Sequence, residues 1–201
     1  EFNLNSSSFN QSATDLTLNL NEKWTLYLNH AYLNPRPIER RQMNNFVYRL
    51  LSVSPQESLT ADLHFQKDKR LALLFSAQSF SYLANLKKEY GDKQEISTQI
   101  QFDEMYSVDF VVTNLLSYGG VLQDIGTRLI YSMDEKRQLS FDVDAGYLRK
   151  INGISGYVSH VRSSYQTTLG SRVTGLFGVE AERNQYFEFD LRAMAYVTSY
   201  L

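Results

Sequence analysis

From Ile125 to Val197 one alternating apolar set falls on odd positions through five successive segments and four turns. Ile125, Leu129 and Tyr131 begin the series, and Leu139, Phe141, Val143, Ala145 and Tyr147 continue it. Tyr157, Val161 and Tyr165 follow, then Val173, Phe177, Val179 and Ala181. The last segment, YFEFDLRAMAYV (186–197), sets Phe187, Phe189, Leu191, Ala193, Ala195 and Val197 against Glu188, Asp190 and Arg192. A period of two is the signature of a β-strand, whose side chains point alternately to opposite faces. The short polar stretches between segments predict hairpins, so neighbouring strands are expected to be antiparallel.

The first part of the chain reads the same way with less regularity. Leu16, Leu18 and Leu20 alternate, as do Trp24, Leu26 and Leu28, then Phe46, Tyr48 and Leu50. Leu59, Ala61, Leu63 and Phe65, then Leu71, Leu73, Phe75 and Ala77, follow, and Ile96, Thr98, Ile100 and Phe102, then Tyr106, Val108, Phe110 and Val112, complete that part. NPRPIERR (34–41) reads as a loop, because proline cannot donate to a central ladder. SYLANLKKEYGDKQE (81–95) reads as a long loop with a helical turn stopped by Gly91, and NLLSYGG (114–120) as another loop. About twelve strands are expected, in one domain spanning 1–201 or forming the barrel portion of a longer protein.

Alternation alone does not say which face is inside. A soluble barrel or sandwich buries the apolar face, whereas a membrane barrel turns it outward to lipid. Three features favour the second arrangement. No second apolar element is available to cover so large a sheet, and closure satisfies every backbone group. The polar face carries full charges of both signs, which can pair across a ladder. Aromatics are abundant, 14 Tyr and 12 Phe against one Trp, and several lie near predicted strand ends, as in interfacial girdles. No run of 18 apolar residues suggests a membrane helix, and transmembrane strands need none. The opening EFNLNSSSFN does not read as a secretory leader.

On these residues the chain resembles Gram-negative outer-membrane β-barrel proteins. The resemblance implies an all-β, antiparallel, up-and-down transmembrane barrel in the cell outer membrane. Members of that class end in a strand with a terminal aromatic; here Leu201 stands in phase with Val197. The expected lumen-lining set is Arg128, Gln138, Asp142, Asp144, His160, Arg162, Arg172, Glu180, Glu182, Glu188, Asp190 and Arg192. The expected lipid-facing set is Phe141, Val143, Phe177, Val179, Phe187, Phe189, Leu191 and Val197.

Function is less legible. Lys plus Arg number 20 and Asp plus Glu 22, a balance that gives no reason to expect a nucleic-acid partner. Cysteine is absent, which removes disulfides, thiolate metal sites and cysteine nucleophiles. With three His and no Cys a transition-metal site is not expected, and no nucleotide-binding glycine motif appears, so no cofactor is expected. His160, Arg162 and Ser164 share a face with Glu180 and Glu182, which sketches a Ser-His-acid relay on paper. A polar lumen cluster is the plainer expectation. Expected partners are membrane lipid, lipopolysaccharide phosphates through PRPIERR, and proteins of a larger outer-membrane assembly.

The leading functional expectation is a porin-like channel or transport conduit for small polar solutes or an exported polymer, with lumen charges setting its field. The alternatives are a structural anchor with a plugged lumen, a lipid-modifying enzyme using His160 and Ser164, and a soluble lipocalin-like barrel. The last lacks its early Gly-x-Trp, since Asn21, Glu22 and Lys23 precede Trp24.

Overall fold

A computed structural model describes residues 2–3, 8–9, 12–32, 56–84, 87–117, 120–150, 155–169 and 173–199. Every regular element among them is a strand. Two short ones, β1 (Phe2–Asn3) and β2 (Ser8–Phe9), pair with each other. The other eleven form one sheet in strict chain order. They are β3 (Ser12–Asn19), β4 (Trp24–Tyr32), β5 (Glu57–Gln66), β6 (Leu71–Ala84), β7 (Lys87–Gln101) and β8 (Tyr106–Ser117), then β9 (Gly120–Asp134), β10 (Arg137–Arg149), β11 (Gly156–Leu169), β12 (Val173–Asn184) and β13 (Phe187–Ser199). All neighbours are antiparallel, and the arrangement is the expected up-and-down meander. Among the described residues β3 and β13 are the edges of the sheet.

The turns have a common chemical cause. Asn and Asp side chains accept hydrogen bonds from backbone amides two or three residues on, which folds the chain back locally. Asn21 Oδ1 accepts from the amides of Lys23 and Trp24 at 2.9 and 3.0 Å. Asp68 serves the amides of Arg70 and Leu71, and Asp103 those of Met105 and Tyr106. Asp134 accepts from Lys136, and Asn184 from Tyr186.

Two expected loops are hairpins instead. β6 runs on to Ala84 and β7 starts at Lys87, with Tyr82 opposite Glu89. Gly91 does not stop a helix. It makes room for a ring: a Cβ there would sit 2.5 Å from Phe80 Cζ. Likewise β8 continues to Ser117 and β9 begins at Gly120, inside the stretch read as a loop. The Phe46–Leu50 alternation and the PRPIERR stretch lie outside the described residues. β4 pairs directly with β5, Trp24 opposite Phe65 and Tyr32 opposite Glu57.

The two faces differ as the alternation requires, and the apolar set is the exposed one. Phe177 is 48% exposed and Leu191 62%, whereas Asp142 and Asp144 on the opposite face are each 1% exposed. Phe141, Val143, Val179, Phe189 and Val197 are exposed in the same manner. An inner face so buried, with no helix or second large sheet stacked on it among the described residues, requires the sheet to curl around its own interior. The soluble-barrel alternative, with this apolar set as its core, does not hold. Aromatic pairs mark both ends of the outer face. Tyr106 stacks on Tyr131 with centroids 4.8 Å apart, and Tyr147 meets Tyr157 at 5.1 Å.

Two outcomes follow from the turns. Gly120 has φ +133°, and a Cβ there would lie 2.2 Å from the Arg149 carbonyl oxygen. Gly120→Ala is expected to destabilise the fold by about 2 kcal/mol, read by denaturant unfolding in micelles through the fluorescence of Trp24, the chain's one tryptophan. At the β9–β10 turn the Arg137 side chain and the Lys136 amide hold the Asp134 carboxyl below its ordinary value. Its support is therefore full above the ordinary carboxylate range and fades as pH falls through the lowered value. Arg137→Gln should move the Asp134 titration upward in a side-chain carboxyl NMR experiment.

Candidate functional site on the charged inner face

Strand register builds a single lateral row across six strands. Asp109 of β8 faces Arg128 of β9, which faces Asp142 of β10. Asp142 faces Arg162 of β11, Arg162 faces Glu180 of β12, and Glu180 faces Arg192 of β13. The signs alternate along the whole row. Directly opposed side chains on one face lie close enough to interact, and here every neighbour has the opposite charge.

The contacts follow. Arg128 forks onto Asp142, Nε to Oδ1 at 2.5 Å and Nη2 to Oδ2 at 3.3 Å. Arg162 Nε approaches Asp142 Oδ2 from the other side at 3.5 Å. Arg192 Nη1 lies 3.1 Å from Glu180 Oε1, and its other nitrogen bonds Asp190 on its own strand. Asp142 thus sits between two guanidiniums, one on each neighbouring strand.

One level along, His160 occupies an acidic nest. Its Nδ1 lies 2.8 Å from Asp144 Oδ1 and its Nε2 3.6 Å from Glu180 Oε2. Glu182 stands opposite it in register and accepts from Asn184 Nδ2 at 2.9 Å. A carboxylate only accepts, so Nδ1 carries the proton of the Asp144 bond. Ser164 takes no part. It is four residues along the strand, roughly 13 Å away, and its hydroxyl bonds Ser140 Oγ at 2.7 Å. The Ser-His-acid relay is not assembled.

Beyond the charges, at the end where β8 leads into β9, the inner face turns apolar. Val111, Leu115, Leu122 and Leu148 have no exposed surface, and Phe80, Tyr82 and Val158 are nearly as buried. A further ion pair, Lys93 Nζ to Glu95 Oε2 at 3.1 Å, lies next to this cluster, Lys93 facing Leu115.

Of the residues expected inside, Asp142, Asp144, His160, Glu180 and Glu182 are buried on this face. Arg128, Gln138, Arg162, Asp190 and Arg192 are half-buried there, and Glu188 on the edge strand is exposed. Arg172 and the Phe187 side chain lie outside the described residues. Sequence reasoning did not single out Asp109, Asp124, Lys93 or Glu95. Asp109 is odd-numbered, like the outward residues of β9 and β10, but it opposes the Tyr106, Val108, Phe110 and Val112 set of its own strand and faces inward beside Arg128. No group of three or more potential metal ligands is arranged to hold an ion among the described residues.

No protein-family model matches the sequence, and no curated protein matches it. Solved structures share the fold, two outer-membrane proteins among them. The siderophore receptor PirA from Pseudomonas aeruginosa aligns at a TM-score of 0.55 and 10% identity, over 95% of this chain and 36% of the receptor. A loop L8 deletion mutant of OmpT, an outer membrane protein of Vibrio cholerae, aligns at 0.57 and 8% identity, over 94% of this chain and 90% of that one. The chain therefore spans about a third of the receptor's length. Its fold is that of outer-membrane β-barrel proteins.

The row's stability is testable. Asp142→Asn leaves Arg128 and Arg162 without their shared carboxylate, and the expected loss is about 3 kcal/mol. Arg162→Met, which leaves the Arg128 fork intact, should cost less in the same micellar unfolding experiment.

Proposed function

We propose that this chain spans the outer membrane as a β-barrel and conducts small polar solutes, with a preference for cations. The outward apolar set, Phe141, Val143, Phe177, Val179, Phe189, Leu191 and Val197, faces lipid in this reading, and the charged row lines the lumen. Dimensions support the membrane placement. From Leu139, opposite Tyr131, to Tyr147 the strand advances about 27 Å, or roughly 20 Å of height at a tilt near 40°, close to the apolar band of such barrels. β6 to β13 each run 12 to 15 residues, longer than the span needs.

One observation carries the cation preference. The buried inner carboxylates are Glu95, Asp109, Asp124, Asp142, Asp144, Glu180 and Glu182. The buried basic groups are Lys93 and His160, supplemented by the half-buried Arg128, Arg162 and Arg192. A low-dielectric wall focuses this acidic excess into the interior, and rings of acidic side chains favour cations in pores.

A second reading rests on Leu115, Leu122 and Leu148. Their complete burial at one end of the inner face fits a plugged barrel that serves as a structural anchor, and apolar constrictions also gate pores by expelling water. Planar-bilayer recording separates the two. A conduit gives unitary currents whose reversal potential in a salt gradient shows cation preference. Glu182→Gln reduces that preference, and Leu122→Ser raises the conductance. A barrel that inserts but stays electrically silent in both wild-type and Leu122→Ser forms removes the conduit reading and leaves the anchor.

A further inference from the structure

The alternating row is incomplete at one end. Glu180 and Asp142 each stand between two arginines, because Arg162 and Arg192 flank the first and Arg128 and Arg162 the second. Asp109 has an arginine on one side only. Across its other ladder it faces Gln99 of β7, which carries no charge. Arg128 directs its Nε and Nη2 to Asp142 rather than to Asp109.

Asp109 is nevertheless 94% buried, since its relative exposure is 6%. Its Oδ1 has no hydrogen-bond partner in the structure. A buried carboxylate oxygen left unbonded is costly and calls for a donor. The oxygen belongs to a side chain that lines a cavity of about 280 Å³ on the inner face. His64 of β5, Ala72, Leu73 and Leu74 of β6, and Ser97 and Gln99 of β7 form the rest of the wall. The volume is near the lower limit of small-molecule sites, roughly 300 Å³. Polar groups thus stand beside the carboxylate, and Leu74, itself buried, supplies an apolar side.

From this juxtaposition we propose that the Asp109 cavity binds a small organic monocation with a primary ammonium head and a short alkyl stem. The ammonium takes the place of the missing arginine. It donates to Asp109 Oδ1 and to the carbonyl oxygen of Gln99, and the stem packs on Ala72 and Leu74. Such a ligand satisfies the unbonded oxygen and completes the alternation of charge. A guanidinium fork or a bulky quaternary ammonium fits the cavity less well, the first by size and the second because it has no N–H to give. The proposal rests on the acidic interior that also carries the conduit reading.

The test uses the full chain refolded in detergent micelles and titrated with n-butylammonium chloride by calorimetry. Wild type binds one equivalent saturably and does not bind butyrate. Asp109→Asn weakens binding at least about tenfold, as expected for loss of a charge-assisted hydrogen bond. Glu182→Gln, elsewhere on the same inner face, leaves the affinity within about twofold. Leu74→Trp keeps the carboxylate and fills the cavity, so it abolishes binding even if Asp109→Asn fails to refold. Absence of saturable wild-type binding overturns the site. So does unchanged binding in Asp109→Asn or Leu74→Trp, or equal weakening by Glu182→Gln, which would reveal a general field instead of a cavity. The conduit reading fails separately. Currents without butylammonium binding remove the site alone, and binding by an electrically silent barrel removes the conduit alone.

Discussion

The bond between Arg128 and Asp142 fixes which way the whole wall faces. Strand side chains alternate with a period of two, so a slip of one residue in the β9–β10 register exchanges the faces of everything beyond it. Phe141 and Val143 would turn inward, and Asp142 and Asp144 outward. The fork at 2.5 and 3.3 Å holds only in the observed register, with Asp142 opposite Arg128. Arg162 then uses the second oxygen of the same carboxylate, and Glu180 and Arg192 continue the pattern on the next two strands. The ionic contacts thus pin the register at the β9–β10, β10–β11 and β12–β13 ladders.

Most of this was visible in the sequence, for a simple reason. Alternation is a local property, and the odd phase from Ile125 to Val197 marks every outward residue of β10 to β13 without reference to a partner strand. The hairpin at 85–86 was not visible because KKEYGDKQE is polar on both faces. Its Gly91 carries no sign that it accommodates Phe80, a contact between strands. The inner site divides along the same line. Asp142, Asp144, His160, Glu180 and Glu182 sit in strands with a strong apolar counter-set, and their phase alone marked them. Asp109 lies in VDFVV, where apolar residues occupy both phases, so its direction is set by pairing with Arg128 and not by its immediate neighbours. Relative register between strands is a long-range quantity, and one strand's alternation does not encode it.

The inner face combines two environments that soluble cores keep apart. Around Asp142 it is ionic, with Arg128 and Arg162 on the Asp142 carboxylate and Arg192 on Glu180. Around Leu115, Leu122 and Leu148 it is packed and apolar. Lys93 and Glu95 lie at the boundary, each nearly buried, and their ion pair lets a charged segment approach the leucines without leaving an isolated charge. On β10, β12 and β13 the outer face needs no such compensation, because residues such as Phe141, Val143, Phe177, Val179, Phe189 and Leu191 are exposed there.

Chain-neighbour pairing has a consequence for how the molecule is made. Among the described residues each strand of the sheet pairs with the one before and the one after it in the chain. Asp142 meets Arg128 across 14 positions of chain, Arg192 meets Glu180 across 12, and His160 meets Asp144 across 16. Closing loops of this length costs little entropy, and the cost grows only slowly with length. A growing wall can therefore neutralise each charge as its hairpin arrives, and none of these ionic contacts waits on a remote part of the chain. Assembly by accretion, hairpin upon hairpin, is the kinetic counterpart of a charge row written in sequence order.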